Sequence, residues 1–464
     1  VRSLVLLLFV TGTLPMAFMR PIIGLLLWMM FSYLNPHRET WGFAVDFPWV
    51  VLVAVATLLA LLAQPNQRRA PPMKPVVVLM LAFLGWITLS TFQAAEPAGA
   101  VARYEQFLKM MVMTLVTLML VIDRQRLEWV IWTIVASFGF WGFKGGLFTL
   151  ATGGNYHVMG PESSFFTDNN IFALIMCMTL PLMRYVQLHA ERRWVRLGMW
   201  VLMALTAVSV IGTYSRGGLL ALAITATMLI WKSRRRAMLI LVAPIGALAL
   251  ASFMPPQYFA RMDTIDQYQQ DESAQGRIQS WKFATNVALA HPVLGGGMEV
   301  WSSHSMWEQY GPEGAVPGRA IHSIFFEVLG EQGFVGLGLF VALLLAGYLS
   351  LGHIRRRARA GPVQAQWLAD LASMMQASLV GYGAAGALLP TPYIDLLYQM
   401  LALVAVMQVL LSTYAHHSDT VVAEPSTGKR PERTRSRRRS RTPEGTSPRP
   451  ARPARSGGSR LPDW

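Results

Sequence analysis

The chain has 464 residues, 53% of them hydrophobic and only 14% charged, with a mean hydropathy of +0.38. Soluble domains carry roughly 25% charged residues, so the composition excludes an ordinary soluble enzyme and predicts an all-α, polytopic membrane protein. The formal net charge is +15, but residues 421–464 hold 12 Lys/Arg against 4 Asp/Glu, or +8 of that total; the excess belongs largely to the tail and gives no ground for nucleic-acid binding.

The first 34 residues are apolar but interrupted at Pro15 and at Arg20-Pro21. As one straight helix they would measure about 50 Å, more than a bilayer core of about 30 Å. They read as a short or re-entrant piece followed by a span, or as two short spans. With no small-residue cleavage site after the apolar run, they resemble an uncleaved start more than a signal peptide. Further spans are expected near 47–64, 75–92, 104–122, 127–147, 169–188, 194–211, 216–232, 238–254, 321–350, 367–388 and 394–413, giving 12 or 13 in all. The single cysteine, Cys177, lies inside one of them, which excludes an intrachain disulfide and a thiolate-built metal site.

Five basic connections alternate along this series: Arg68-Arg69, Arg124/Arg126, Arg192-Arg193/Arg196, Lys232/Arg234–Arg236 and Arg355–Arg357/Arg359. Alternation places them all on one side, which the positive-inside rule makes cytoplasmic. The opposite side, periplasmic in a bacterium, receives 35–46, 93–103, 144–168, the short turn 212–217 and the long loop 255–320. The chain thus divides into N-terminal spans (1–254), a large periplasmic loop (255–320), C-terminal spans (321–415) and a tail (416–464). From about Ser418 the tail is rich in Arg, Pro, Ser and Gly and is expected to be disordered. Its arginines read either as a topology-fixing tail or as contacts to anionic membrane lipids.

Polar groups collect on the outer side. In the long loop, Asp263, Asp266, Asp271 and Glu272 precede a helical pattern over Arg277–Ala290, with Ile278, Trp281, Ala284 and Leu289 apolar, that ends at His291-Pro292 and Gly295–Gly297. This predicts an amphipathic helix along the membrane surface, on which Arg277 is either a ligand or a headgroup contact. Thr213-Tyr214-Ser215-Arg216-Gly217-Gly218 joins two spans with almost no loop and carries an arginine on the wrong side for the charge rule. At a helix N-terminus followed by two glycines, Arg216 and free N–H groups fit one phosphate; a structural ion pair is the alternative. Lys144-Gly145-Gly146 could add positive charge, and Asp168-Asn169-Asn170 reads as a helix cap. The loop ends in Pro317–Gly338, where His322 is expected in the first turn of a long apolar helix, with Phe326, Leu329, Gly333 and Gly336 on its face. The positive helix end would keep this imidazole neutral and able to accept a proton; an interface-marking polar residue is the other reading.

The sequence has no Walker A loop, no Asp-x-Asp pair and no His-Glu-x-x-His pair. A transferase working on the outer side needs a donor already activated and membrane-borne, and a lipid diphosphate meets both demands.

His322-Ser323, nine residues, then Gly333-Phe334-Val335-Gly336 resembles the His-[Asn/Ser/Gln]-x9-Gly-x-x-[Gly/Thr/Tyr] signature of bacterial O-antigen ligases. The membrane part, about residues 1–415, resembles the O-antigen ligase/polymerase superfamily. Its opening (Arg20-Pro21, Asn35-Pro36-His37-Arg38, Trp41-Gly42-Phe43) is similar to the exosortase-associated O-glycosylation ligase subgroup. The resemblance implies a GT-C-like glycosyltransferase of about 12 helices in the bacterial inner membrane. It implies transfer of a glycan from undecaprenyl diphosphate to lipid A–core oligosaccharide, without metal, nucleotide or other cofactor. The family's essential histidine maps to His322 and its two essential arginines to Arg216 and Arg277, although Arg261 and Arg319 share the long loop; Lys144, Ser215, Arg319 and Ser323 are candidate supporting residues. In this scheme neutral His322 takes the acceptor hydroxyl's proton, the arginines hold the departing diphosphate, and direct displacement inverts the anomeric carbon. An O-antigen polymerase or a protein O-oligosaccharyltransferase would differ only in acceptor. A lipid-linked glycan flippase would need a charged path through the bundle, and Asp395 is the one exception to its absence.

Overall fold

The computed structural model describes residues 2–233, 236–263 and 272–423. Among these the chain is all-helical: α1 (Arg2–Met19), α2 (Pro21–Tyr33), α3 (Phe43–Asp46), α4 (Trp49–Ala63), α5 (Pro75–Thr91), α6 (Pro97–Leu120), α7 (Arg124–Ala151), α8 (Asn169–His189), α9 (Arg193–Gly212), α10 (Arg216–Lys232), α11 (Arg236–Phe253), α12 (Pro256–Asp263), α13 (Glu272–Ala290), α14 (His304–Tyr310), α15 (Ile324–Ala360), α16 (Gln366–Gly386) and α17 (Asp395–Ala423). Residues 1–419 form one compact unit. Asp266 and Asp271 of the long loop, and the tail from 424 onward, lie outside the described residues.

Each of the eleven spans expected after residue 34 falls on one helix, α4 to α11 and α15 to α17, although α6 already starts at Pro97 and α15 runs on to Ala360. Among the described residues six helices are long and apolar enough to cross a membrane: α1, α7, α8, α9, α15 and, over Asp395–Tyr414, α17. Helices α2, α4 and α5 are apolar but shorter, and α10 is a 17-residue helix that begins at Arg216 and ends at Lys232. The N-terminal region resolves into two helices broken at Arg20, where Pro21 opens α2. They run antiparallel: Arg2 Nη1 donates to the Glu39 carbonyl beyond the end of α2, while Met19 at the turn accepts from Gln67 Nε2.

The basic connections gather at one end. Arg69 donates from its backbone N–H to Met119 O and from Nη2 to Val121 O, both at 3.0 Å. Arg126 reaches Gln67 O at 3.0 Å, Arg124 lies over the Trp367 ring, and Lys232 Nζ donates to Ser373 O at 2.6 Å. At the far end, the α5–α6 turn, the α7–α8 loop and the α9–α10 turn meet the segment between α11 and α15. Helices α8 and α17 form the centre, 83% and 72% buried over their apolar windows. Helices α1, α4 and α9 are peripheral and expose Leu8, Leu62 and Leu197, as expected where apolar side chains face lipid rather than protein.

The segment preceding α15 builds a second, smaller core. Phe283, Ala284 and Val287 of α13, with Val300, Met306, Trp307 and Ile321, are buried together, and Phe283 stacks on Trp307 at 4.0 Å between ring centroids. Helix α13 therefore turns its apolar face to α14 and α15. Of the residues expected to define that face, Ala284 is buried, whereas Leu289 is exposed.

Candidate active site

His322 precedes α15 instead of lying in its first turn: Ser323 is the N-cap, with extended backbone, and Ile324 is the first helical residue. The Ser323 hydroxyl accepts from Phe326 N at 3.5 Å, and the Ser323 carbonyl accepts from Glu327 N at 2.8 Å. Ser323 thus holds the helix start that carries His322.

The expected single face running from His322 to Gly336 does not exist, because α15 is broken at Gly333 (φ 68°, ψ −172°). That backbone region is open to glycine alone. The carbonyls freed by the break are taken by other elements: Gly296 N donates to Gly330 O and Gly297 N to Glu331 O, each at 2.9 Å, and Trp86 Nε1 to Gln332 O at 3.0 Å. In return Phe334 N donates to Pro292 O at 2.9 Å. A Cβ on Gly333 would stand 2.5 Å from Val293 O. The bare face thus receives a loop backbone, not a helix; only Gly336 faces a neighbouring helix, through Trp86 of α5.

Around His322 the structure assembles the charges that sequence reading had scattered over 150 residues. The ring is half-buried. Burial pushes its pKa below the ordinary value, the Arg277 guanidinium pushes it further down, Asp168 opposes this, and Arg319 adds a smaller depression. Arg277 and Arg319 are neighbours: the Arg319 guanidinium lies across Gly276, with Cζ 2.7 Å from where a Cβ would be. Trp281, one turn along α13, stacks on Phe326 of α15 at 5.1 Å and ties this arginine pair to the His322 helix.

Arg216 opens α10. Its N-cap Ser215 accepts from Gly218 N at 2.9 Å and donates to Asn170 Oδ1 at 2.7 Å, while Asn169 Nδ2 donates to Thr213 O at 2.8 Å. Asp168, the next residue back, caps α8 through Asn170 N and Ile171 N, so one short segment fixes the Arg216 turn and sets a carboxylate against the depression of the His322 pKa. Tyr214 sits at φ 58°, a strained conformation for a bulky residue, held by its hydroxyl on Gly154 O and by its ring against His157 and Tyr258. A second bridge runs through the α16–α17 turn: Leu389 packs on Gly217 and Gly386 on Ile324. The starts of α10 and α15 therefore flank the same turn.

Lys144 goes elsewhere. Its Nζ is 2.8 Å from Glu39 Oε1 and lies over the Trp141 ring, in a cavity of about 370 Å³ also lined by Arg38, His157 and Glu162.

Sequence reading missed a buried acidic network. Glu331 Oε1 accepts from Glu299 N at 2.8 Å and Oε2 from Tyr393 OH at 2.7 Å. Arg103 Nε stands 3.8 Å from Glu299, and Glu327 is buried one turn before Glu331 with its Oε2 unpartnered. The available signal was two acids at i, i+4 inside an apolar run, which is costly in a membrane segment unless answered. Among the described residues no group of three or more His, Cys, Asp or Glu is placed to hold a metal ion.

Residues 201–341 match the O-antigen ligase family, and residues 1–191 match a family of unknown function, DUF5935. The first match spans Arg216, Arg277, Arg319, His322 and the Gly333 break, and excludes Lys144. It supports the O-antigen ligase superfamily and, in general terms, a glycosyltransferase-like ligase or polymerase activity in a multi-pass membrane protein. A comparison with curated proteins finds no match.

Proposed function

We propose that the protein is an O-antigen ligase: an inverting, metal-independent, GT-C-like glycosyltransferase that moves a glycan from undecaprenyl diphosphate to lipid A–core oligosaccharide. The observation that carries this reading is His322, half-buried, with its pKa depressed by burial and by Arg277 and Arg319. A general base must be neutral at working pH, and two guanidiniums beside it supply the charge that a departing diphosphate requires.

In the proposed reaction the acceptor hydroxyl gives its proton to the His322 ring as its oxygen bonds to the anomeric carbon. The bond from that carbon to the diphosphate oxygen breaks on the opposite face, and undecaprenyl diphosphate leaves with the electron pair. Arg277 and Arg319 are the diphosphate ligands nearest the base; Arg216, at the start of α10, is the third. Lys144 is left out of the first contacts because it lies with Glu39 in the cavity lined by Arg38, His157 and Glu162. In this reading the end carrying the site is periplasmic, the basic end and tail are cytoplasmic, and the bundle crosses the inner membrane 12 or 13 times.

The test is reconstitution of the purified protein with a lipid-linked glycan and, separately, lipid A–core, free glycan and protein acceptors. Transfer to lipid A–core with inversion is expected. Transfer to a glycan repeat or to a Ser/Thr hydroxyl alone would make it a polymerase or a protein O-oligosaccharyltransferase. Glycan translocation without transfer would make it a flippase.

A further inference from the structure

The end of the bundle opposite the candidate site carries two adjoining basic cavities that the proposed reaction does not use. One, of about 670 Å³, is lined by Arg184, Lys232, Arg359 and Asp370. The other, of about 590 Å³, is lined by Arg184, Arg193, Arg196, Gln187, Leu197 and Trp200. Arg184 and Leu188 belong to both, so the walls present five cations and one carboxylate. That carboxylate already has a neighbour, His189 Nε2 at 3.2 Å from Asp370 Oδ2. Lys232 Nζ is fixed on Ser373 O, and the Arg184 guanidinium lies 5.2 Å over Trp200. The cations come from four helices, α8, α9, α10 and α15, so they form a concave site and not one basic stripe.

Below the second cavity α9 turns an apolar face outward: Leu197 is 65% exposed, Trp200 46% and Val201 49%. In a helix long and apolar enough to span a membrane, such a face meets acyl chains, and Trp194, the second residue of α9 and exposed, marks the headgroup level. A ligand matching both parts is anionic at one end and apolar at the other. Because α9 runs from Arg193 to the turn before Arg216, this place is about 30 Å from the candidate active site.

We propose that these cavities bind the phosphate diester headgroup of an anionic glycerophospholipid of the leaflet on the basic side. Its phosphate sits among Arg184, Arg193 and Arg196, and its acyl chains lie along Leu197, Trp200 and Val201. The lipid pins the ends of α8 and α9 at one point, at the other end of α9 from the turn that presents Arg216.

The full chain, purified in detergent, is titrated with phosphatidylglycerol and with phosphatidylcholine and read by native mass spectrometry. Phosphatidylglycerol is expected to bind at least tenfold more tightly. Each exposed basic residue contributes roughly a factor of five near a lipid surface, so Arg193→Gln/Arg196→Gln should weaken phosphatidylglycerol by about thirtyfold. Arg193→Lys/Arg196→Lys, which keeps the charge and guards against misfolding, should stay within a few-fold of wild type. Three results would overturn the proposal. These are equal affinity for the two lipids, an equal loss in the control Arg68→Gln/Arg356→Gln outside both cavities, and displacement by free glycerol phosphate at lipid-like concentration, which would make the site an anion site indifferent to acyl chains.

Discussion

At the scale of single residues the proposed mechanism turns on the protonation of His322. Its pKa is lowered, so the neutral, proton-accepting form persists below pH 6.5, and the acid limb of the activity profile is expected below that pH. The neighbours give the sign a sharper test. Arg277→Ala removes a group that depresses the pKa, so besides losing rate it should move the acid limb to higher pH. Asp168→Asn removes the group that raises it and should move the limb to lower pH. An unmoved limb in both variants would mean that a different group titrates. His322→Ala should cost a factor of about 10² to 10⁴ in transfer with donor binding largely kept, since the diphosphate is assigned to the arginines. Arg216→Lys should lose most activity while the protein still inserts, because an ammonium cannot reproduce a planar fork on phosphate; full activity there would reduce Arg216 to a general positive charge. Neither chelator nor added divalent cation should change the rate.

At the scale of elements, the break in α15 is the feature on which the site depends. The loop glycines 295–297 enter it: Gly296 N and Gly297 N take its free carbonyls, and Gly296 O accepts from Ala95 N between α5 and α6. Gly333→Ala should therefore destabilise the protein by about 1–3 kcal/mol through backbone conformation alone, and further by displacing the Pro292 and Val293 carbonyls. The check is thermal unfolding in detergent beside a neutral site such as Gly338→Ala, where an added Cβ meets nothing; equal melting of the two variants would refute the break. Helix limits were legible in the sequence because apolar runs and their stops are local. Residues 216–232 were expected as one span and form α10; the chain breaks at Arg20-Pro21 and Asp168 caps α8 as expected, whereas the interruption expected at Pro15 does not occur, since α1 runs through it. The break at Gly333 was not legible, since a glycine in an apolar run reads equally as close helix packing or as a turn. What separates them is the partner, and Pro292 lies forty residues away. The same distance problem hid the Glu39 partner of Lys144. It also hid Arg319 beside Arg277, which depends on Gly276 offering no side chain to exclude it.

At the scale of the whole molecule, the separation of a basic end from a polar, site-bearing end is a physical claim about membrane orientation. Positive charge is retained on the cytoplasmic side; the structure gathers Arg69, Arg126, Lys232 and Arg359 at the end away from His322. The proposed donor chemistry needs His322 to face the periplasm, where the lipid-linked glycan is already assembled. Cysteine labelling tests this cleanly, because the native Cys177 is 1% exposed and should stay silent. A cysteine at Glu313, exposed in the segment before His322, should react with a membrane-impermeant maleimide in cells whose outer membrane alone is opened. A cysteine at Glu191, exposed before α9 and chosen to leave its arginines intact, should react only once the inner membrane is breached. The reverse pattern would put the His322 end in the cytoplasm, where nucleotide-activated donors are at hand. It would remove the ground for a lipid diphosphate donor while leaving the helix packing untouched.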